Sequence, residues 1–483
     1  MARFSNDIER FIDAYVLELA AGNAAIFAGA GLSAPAGFVD WKSLLKPLAE
    51  ELRLDIDKEH DLLGVAQYHL NSKENQRNQL NQLLITNFAV AAAPTVSHKV
   101  IAKLPVSLIW TTNYDRLIEK AFDEEGRVLD VKYERAHFTT TKPNRTAVLY
   151  KMHGDIEHPD KAILTKDDYE KYYDSHGEFL NALSGALTER TFLFLGFSFK
   201  DPNLDFVLGR IRSRFAQNQK RHFCLMKERS KSPNETEEEF AYDHIRQALM
   251  IKDLMRFNIE TVLVADYSQI PEILGEIYKR LRARTIFVGG SAAEYGNWSQ
   301  SQCYEMLRDL ASALVQQGYR IITGFGLGVG EAVVTGAVER IQRDNLDMDR
   351  HLVMRPFPRT QPSEGVTLPE LYKKYRHEII EPAGIFLSVF GNKQVDGETV
   401  DAGGLNQEID IALSLGLQVV PVGGTGWVSK ARWEEAEKNP AQFLKADTDE
   451  LRDALARVGK EYDSPNELIQ PVLDIINSLS NGN

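Results

Sequence analysis

Four short motifs carry the residue types that grip and cut a phosphorylated sugar, and each stands directly behind an apolar run. In Trp110-Thr111-Thr112-Asn113-Tyr114-Asp115 the Asn113 amide can bond ribose hydroxyls or hold a water, and the Asp115 carboxylate can meet a carboxamide. An Asx turn opening a helix over residues 116–122 accounts for the same pair equally well. In Lys151-Met152-His153-Gly154-Asp155 the imidazole can take a proton from ribose or water. His153 is one of 11 histidines, and only its position behind a strand singles it out. Gly29-Ala30-Gly31-Leu32-Ser33, followed by Gly37, Asp40 and Trp41, lets backbone N–H groups approach a pyrophosphate, although a ligand-free turn uses the same glycines. Gly196-Phe197-Ser198-Phe199-Lys200-Asp201-Pro202-Asn203 adds small residues, a hydroxyl and an amide.

A second set lies farther along the chain. Gly289-Gly290-Ser291 ends one apolar run, and Gly324-Phe325-Gly326-Leu327-Gly328-Val329-Gly330 follows another and precedes a helix over 331–340. Alternating glycines before a helix present amides and the helix dipole to phosphate, or form a plain flexible turn. Arg376, Lys393 and Glu408 supply a guanidinium, an ammonium and a ribose-accepting carboxylate. Singly, each is more often a solvated surface charge.

These motifs need sheets to carry them. Apolar runs at 24–28, 106–112, 147–152, 191–197, 222–226 and 261–264 alternate with helical stretches, which predicts a parallel sheet covered on both faces. The rhythm restarts at 285–289 and continues through 319–323, 352–356, 384–389 and 418–422. The fold expected is therefore α/β, two Rossmann-like doubly wound parallel-sheet domains, over residues 1–283 and 284–483. Residues 5–20 form an amphipathic helix ahead of the first strand, capped by Ser5 or Asn6, which packs on a partner subunit or on its own domain.

Composition narrows the classes. A formal charge of −13 repels phosphate backbones and anionic lipid, so neither nucleic acid nor a membrane surface is an expected partner. The chain has 2 cysteines, Cys224 and Cys303, too few for a disulfide framework or a four-cysteine zinc site. With no signal-like or membrane-spanning run, the expected location is the cytoplasm.

GAGLS, TTNYD, the His-Gly pair and GFSF, in this order, resemble the GAGxS, TQNxD, HG and GTS motifs of the sirtuin family over roughly residues 20–265. That resemblance implies NAD cleavage with Asn113 and His153 as catalytic residues. It also implies NAD contacts at Gly29, Ala30, Ser33, Asp115 and Ser198. Protein-deacylating sirtuins carry a four-cysteine zinc module that this chain cannot supply, so no zinc is expected, NAD is the substrate rather than a cofactor, and water becomes the expected acceptor.

The second half resembles the SLOG superfamily, whose phosphoribohydrolases use Gly-Gly-x-Gly-Thr-x-x-Glu and a nearby arginine. Gly403-Gly404-Leu405-Asn406-Gln407-Glu408 keeps the glycines and the glutamate and loses the Gly-Thr pair, which favours binding over hydrolysis. The order sirtuin-like then SLOG, with KMHGDIEHP, FLFLGFSFKDPNLD and TGFGLGVG, is similar to the effectors of the Thoeris anti-phage defence system. This implies an NAD hydrolase switched on by a cyclic ADP-ribose isomer that a TIR-domain partner makes. It implies a homotetramer too, and Gly290, Ser291, Arg376, Lys393 and Glu408 as the activator-binding residues.

Overall fold

A computed structural model describes residues 4–199, 201–215, 218–233, 235–358 and 367–481; Lys200, within the fourth motif, lies outside them. Contacts divide the chain into Met1–Tyr278 and Lys279–Asn483. The first unit is built on a 7-stranded sheet of order β3-β4-β2-β1-β5-β6-β7, every pairing parallel. Its strands are β1 (Ala24–Ala28), β2 (Leu108–Thr111), β3 (Leu129–Lys132), β4 (Ala147–Lys151), β5 (Thr191–Leu195), β6 (His222–Lys227) and β7 (Ile259–Val264). β1 and β5 are buried along their whole length because helices cover both sheet faces, and this is why they read as unbroken apolar runs. One apolar cluster gathers Trp110, Phe179, Phe192 and Phe194, and another gathers Leu45, Leu84, Tyr114 and Leu164.

The opening helix, Asn6–Ala20, is capped by Ser5 and buries Ile8, Phe11, Ile12, Tyr15, Val16 and Leu19. Its partner is its own unit: Phe11 meets Phe223 of β6 edge-on at 5.0 Å, and the Tyr15 hydroxyl donates to the Ala25 carbonyl of β1 at 2.9 Å. Of the two packings open from the sequence, the intradomain one is observed.

The second unit has a 5-stranded parallel sheet of order β10-β9-β8-β11-β14. It uses β8 (Thr285–Ser291), β9 (Arg320–Thr323), β10 (Leu352–Met354), β11 (Ile385–Phe390) and β14 (Gln418–Pro421). Between β11 and β14 the chain makes an antiparallel hairpin, β12 (Asn392–Val395) and β13 (Glu398–Asp401), whose polar residues carry no strand-like pattern. One apolar core, from Ile286 to Leu479, holds this unit together. In both sheets the chain reverses direction at the centre, around β1 and around β8, and such switch points open a crevice at the carboxyl ends of the strands. Cys224 in the first unit and Cys303 in the second are free, buried thiols. Among the described residues, no helix is long and apolar enough to cross a membrane.

Candidate functional site

The four motifs of the first unit follow the carboxyl ends of β1, β2, β4 and β5, neighbours in the sheet. Behind β1, Gly29 and Gly31 lie against the turn after β5: Gly29 N–H donates to Leu195 O at 2.8 Å and Gly31 N–H to Gly196 O at 3.0 Å. A Cβ on Gly31 would stand 2.9 Å from Gly196 Cα, and one on Gly196, at φ +61°, would strike Leu32 N. These glycines thus press two strand-end turns together. Ala30 and Ser198 are exposed on the same rim, whereas Ser33 is buried beneath it.

Asn113 is buried at the end of β2, and its Nδ2 donates to the Gly29 carbonyl and to Ser33 Oγ, both at 3.1 Å. Both described side-chain bonds use the amide nitrogen, which leaves Oδ1 to accept from a ligand hydroxyl or a water. Asp115 Oδ1 accepts the Leu117 N–H at 3.0 Å, an Asx turn that opens the helix Leu117–Glu124. The structure therefore gives Asp115 a turn-forming role at the site's edge.

His153, behind β4, is 3 % exposed. Its Nε2 lies 2.9 Å from Asp201 Oδ2 and 3.1 Å from the Tyr169 hydroxyl, which itself donates to Asp201 Oδ2 at 3.0 Å. Rings of Trp41 and Tyr114 stand 6.2 and 6.5 Å away, so the residue next to Asn113 flanks the imidazole. Burial pushes the Asp201 carboxyl up, but His153 and the Leu204 N–H outweigh it and hold the group below the usual carboxylate range. Burial, with Asp201 beside it, drives the Tyr169 hydroxyl well above its ordinary value.

Beneath both turns sits Lys151, fully buried. Its Nζ donates to the carbonyls of Tyr114 at 3.2 Å and Asp115 at 2.6 Å, to Glu119 Oε1 at 3.0 Å and to Asp155 Oδ2 at 2.6 Å. Tyr114 O also accepts the Ile156 N–H at 3.1 Å. One ammonium thus staples the Asn113 turn to the His153 turn. Burial works against its charge, yet Glu119 and Asp155 hold it above the ordinary lysine value, while burial pushes Glu119 up against the pull of Lys151. Sequence reasoning quoted Lys151 and Asp201 within motifs without assigning them a role, and it missed Tyr169.

In the second unit Gly290 and Ser291 end β8, and the loop Gly324–Gly330 lies over that end: Ala292 N–H donates to Leu327 O at 2.8 Å. A Cβ on Gly326 or Gly328 would run into the carbonyls of Gly290 or Ala292, so the loop's glycines serve close backbone approach. Ser291 Oγ donates to Asn392 O at 3.0 Å. Arg376, in the helix Leu368–Ile380, meets Glu408, in the helix Gly403–Ser414, Nε to Oε1 3.6 Å, with Arg376 Nη1 donating to Gln407 Oε1 at 2.9 Å. The guanidinium also lies over the Phe357 ring, 5.1 Å from its centroid. Burial pushes Glu408 up to about 7 although Arg376 pulls it down. A Cβ on Gly289 would stand 3.2 Å from Glu408 Oε2, which places that carboxyl beside the end of β8. Lys393 is exposed on the hairpin, opposite Val400.

Two family models match: a SIR2-like domain over residues 107–247, and the Sir2- and TIR-associating SLOG family over residues 269–479. Among curated proteins, the chain is 41% identical over 476 residues to the NAD(+) hydrolase ThsA of Bacillus cereus (strain MSX-D12), covering 98% of this chain and 99% of that one. It is 43% identical over 482 residues to the NAD(+) hydrolase ThsA of Acinetobacter baumannii (strain 532279), again across 98% and 99% of the two chains. A ThsA of Cytobacillus dafuensis is 40% identical, with 99% of this chain and 98% of that one covered. A strand-end site on a SIR2-like sheet, a SLOG family match following it in the chain and relatives matched from end to end lead to one assignment: this chain belongs to the NAD(+) hydrolase ThsA family.

Proposed function

We propose that this protein is an NAD glycohydrolase of bacterial anti-phage defence that releases nicotinamide and ADP-ribose from NAD and so depletes the cell of it. The observation that carries the reading is that Asn113 and His153 are both buried at the carboxyl ends of adjacent strands β2 and β4, with Asn113 bonded to the glycine turn behind β1. The glycosidic C–N bond breaks with its electron pair leaving on nicotinamide, and an oxocarbenium-like centre develops on the ribose. Water adds to that carbon and gives up a proton. Asn113 Oδ1 orients the ribose or the water, and His153 receives the proton. Enclosure by Trp41, Tyr114 and Tyr169 keeps the reacting centre dry enough for those fixed dipoles to count.

The SLOG unit, on this reading, binds a cyclic ADP-ribose isomer made by a TIR-domain partner. The ends of β8 and of the glycine loop meet its phosphates, Arg376 and Lys393 match its charge, and Glu408 takes a ribose hydroxyl. The assembly is a cytoplasmic homotetramer. Activation demands that the ligand bind the active arrangement better than the resting one, by roughly 5.5 kcal/mol for a near-complete reversal of populations.

The test is nicotinamide release from NAD by the full chain, with and without a panel of cyclic ADP-ribose isomers. Free ADP-ribose formed without an acylated peptide, and only with one of the isomers, supports the proposal. Strict dependence on an acyl-lysine peptide makes the protein a deacylase. Tight NAD binding with no release under any isomer makes it a sensor without catalysis.

A further inference from the structure

From the surroundings of His153 we infer that Asp201 is a positioning residue for the reaction: it fixes the imidazole with its proton on Nε2, so that Nδ1 is the atom that accepts the proton. The inference rests on the functional reading above and names the atom and the partner that reading leaves open.

Only one tautomer fits the geometry. Asp201 Oδ2 stands 2.9 Å from Nε2, and the Tyr169 hydroxyl, 3.1 Å from Nε2, spends its own hydrogen on that same carboxylate oxygen at 3.0 Å. Both neighbours therefore face Nε2 with lone pairs, and a lone pair on Nε2 would oppose them at hydrogen-bond distance inside a buried site. A proton on Nε2 turns the same contacts into a hydrogen bond shared by both. The other ring nitrogen, Nδ1, is buried and has no partner among the described residues. Buried polar atoms rarely stay so, and a lone acceptor in a strand-end crevice between Trp41 and Tyr114 is one that a ligand hydroxyl or a water completes.

Asp201 is itself held. Its second oxygen accepts the N–H groups of Asn203 at 2.9 Å and Leu204 at 3.1 Å, the first turn of the helix Pro202–Phe215, so the carboxylate bridges a helix start and the imidazole. When water transfers its proton to Nδ1, the ring becomes cationic, and the anion on its far side stabilises that charge. The titratable groups facing the imidazole are Asp201 and Tyr169, with Tyr114 beside it, His176 next and the Asp168–Arg77 pair behind them. Asp201 is the one carboxylate among them in direct contact with the ring.

Asp201→Asn keeps an acceptor for the helix N–H groups and replaces the oxygen facing Nε2 with either a neutral acceptor or an amide donor. Nicotinamide release is measured against pH for wild type and variant, as full chains, with the cyclic ADP-ribose isomer that activates the wild type. We expect kcat to fall on the order of 100-fold with KM little changed, and the acid limb of kcat/KM to move to lower pH. Unchanged kcat and an unmoved limb overturn the inference, and so does a loss of rate that comes with a proportionate loss of thermal stability and no movement of the limb. A second readout does not depend on turnover: the ring-nitrogen resonances of 15N-histidine-labelled protein, with His153 identified by its absence in His153→Gln. The wild type should carry its proton on Nε2, and Asp201→Asn should lower the pH at which that ring titrates. A wild-type ring protonated on Nδ1 sinks the inference even if the enzyme cleaves NAD; a wild type that cleaves nothing sinks the functional reading and leaves this assignment to be decided by the resonances.

Discussion

The Asn113 amide divides its two ends between structure and the proposed chemistry, Nδ2 holding the Gly29 carbonyl and Ser33 while Oδ1 is the end proposed to meet the ribose or the water. Asn113→Ala should therefore lose both: nicotinamide release by at least about 100-fold, and about 1–3 kcal/mol of stability from the carbonyl left without its donor. Release at a near wild-type rate would remove the residue from the mechanism. Glu408 makes a different claim, because a carboxyl held up to about 7 costs stability once it ionises. Its folded value lies above its unfolded one, so its contribution is intact below the ordinary carboxylate range and is lost as pH rises through about 7. Glu408→Gln should then melt higher than wild type at pH 8, by an amount that fades as the pH is lowered and vanishes near pH 4. The same variant should need more of the cyclic ADP-ribose isomer for activation. A constant difference in melting temperature across the range would show that the carboxyl is not buried as drawn.

Elements reveal where the sequence was legible and where it was not. Strand-end positions of Asn113, His153 and Gly290 follow from apolar runs, because a sheet covered on both faces keeps its strands largely apolar. β3 breaks that rule: Asp130 and Lys132 are buried in it, paired with each other at 3.1 Å and with Arg145, and the charges hid the strand. The β12–β13 hairpin escaped because almost nothing in it is apolar. At the site, Asp201, Tyr169 and Lys151 reach their partners through tertiary packing, which spacing does not encode; an Asp-Pro-Asn helix start within the fourth motif was the one available hint of Asp201. Glycine roles were only half legible, since the turns behind β1 and β5 use them to touch each other. Gly196→Ala, at φ +61° against Leu32 N, should cost about 3 kcal/mol or more in a thermal or denaturant melt. Gly185→Ala, in the helix Tyr172–Glu189 with nothing within 4 Å of the new methyl, should instead gain about 0.5–1 kcal/mol. Equal effects from the two would contradict the packing of those turns.

At the scale of the whole molecule, the chain forms two units with separate apolar cores, and the proposed function assigns catalysis to one sheet and recognition to the other. A ligand that binds only the folded SLOG unit stabilises it by about 2.7 kcal/mol at one hundred times its dissociation constant. If the proposed function holds, a cyclic ADP-ribose isomer that activates the enzyme should thus raise a melting transition, and Arg376→Ala, which removes the guanidinium packed over Phe357 and against Glu408, should abolish that rise while the resting protein still folds. An undiminished rise in the variant would move the recognition site elsewhere. The placement of the cysteines offers a way to watch each half alone. Each unit hides a single thiol, Cys224 in strand β6 of the first sheet and Cys303 within the second core, and burial pushes both up to about 12. A maleimide can react with either one only when its own unit opens, so the chain carries a pair of built-in clocks, and a compound that slows the Cys303 clock while the Cys224 clock keeps its pace declares which half it holds shut.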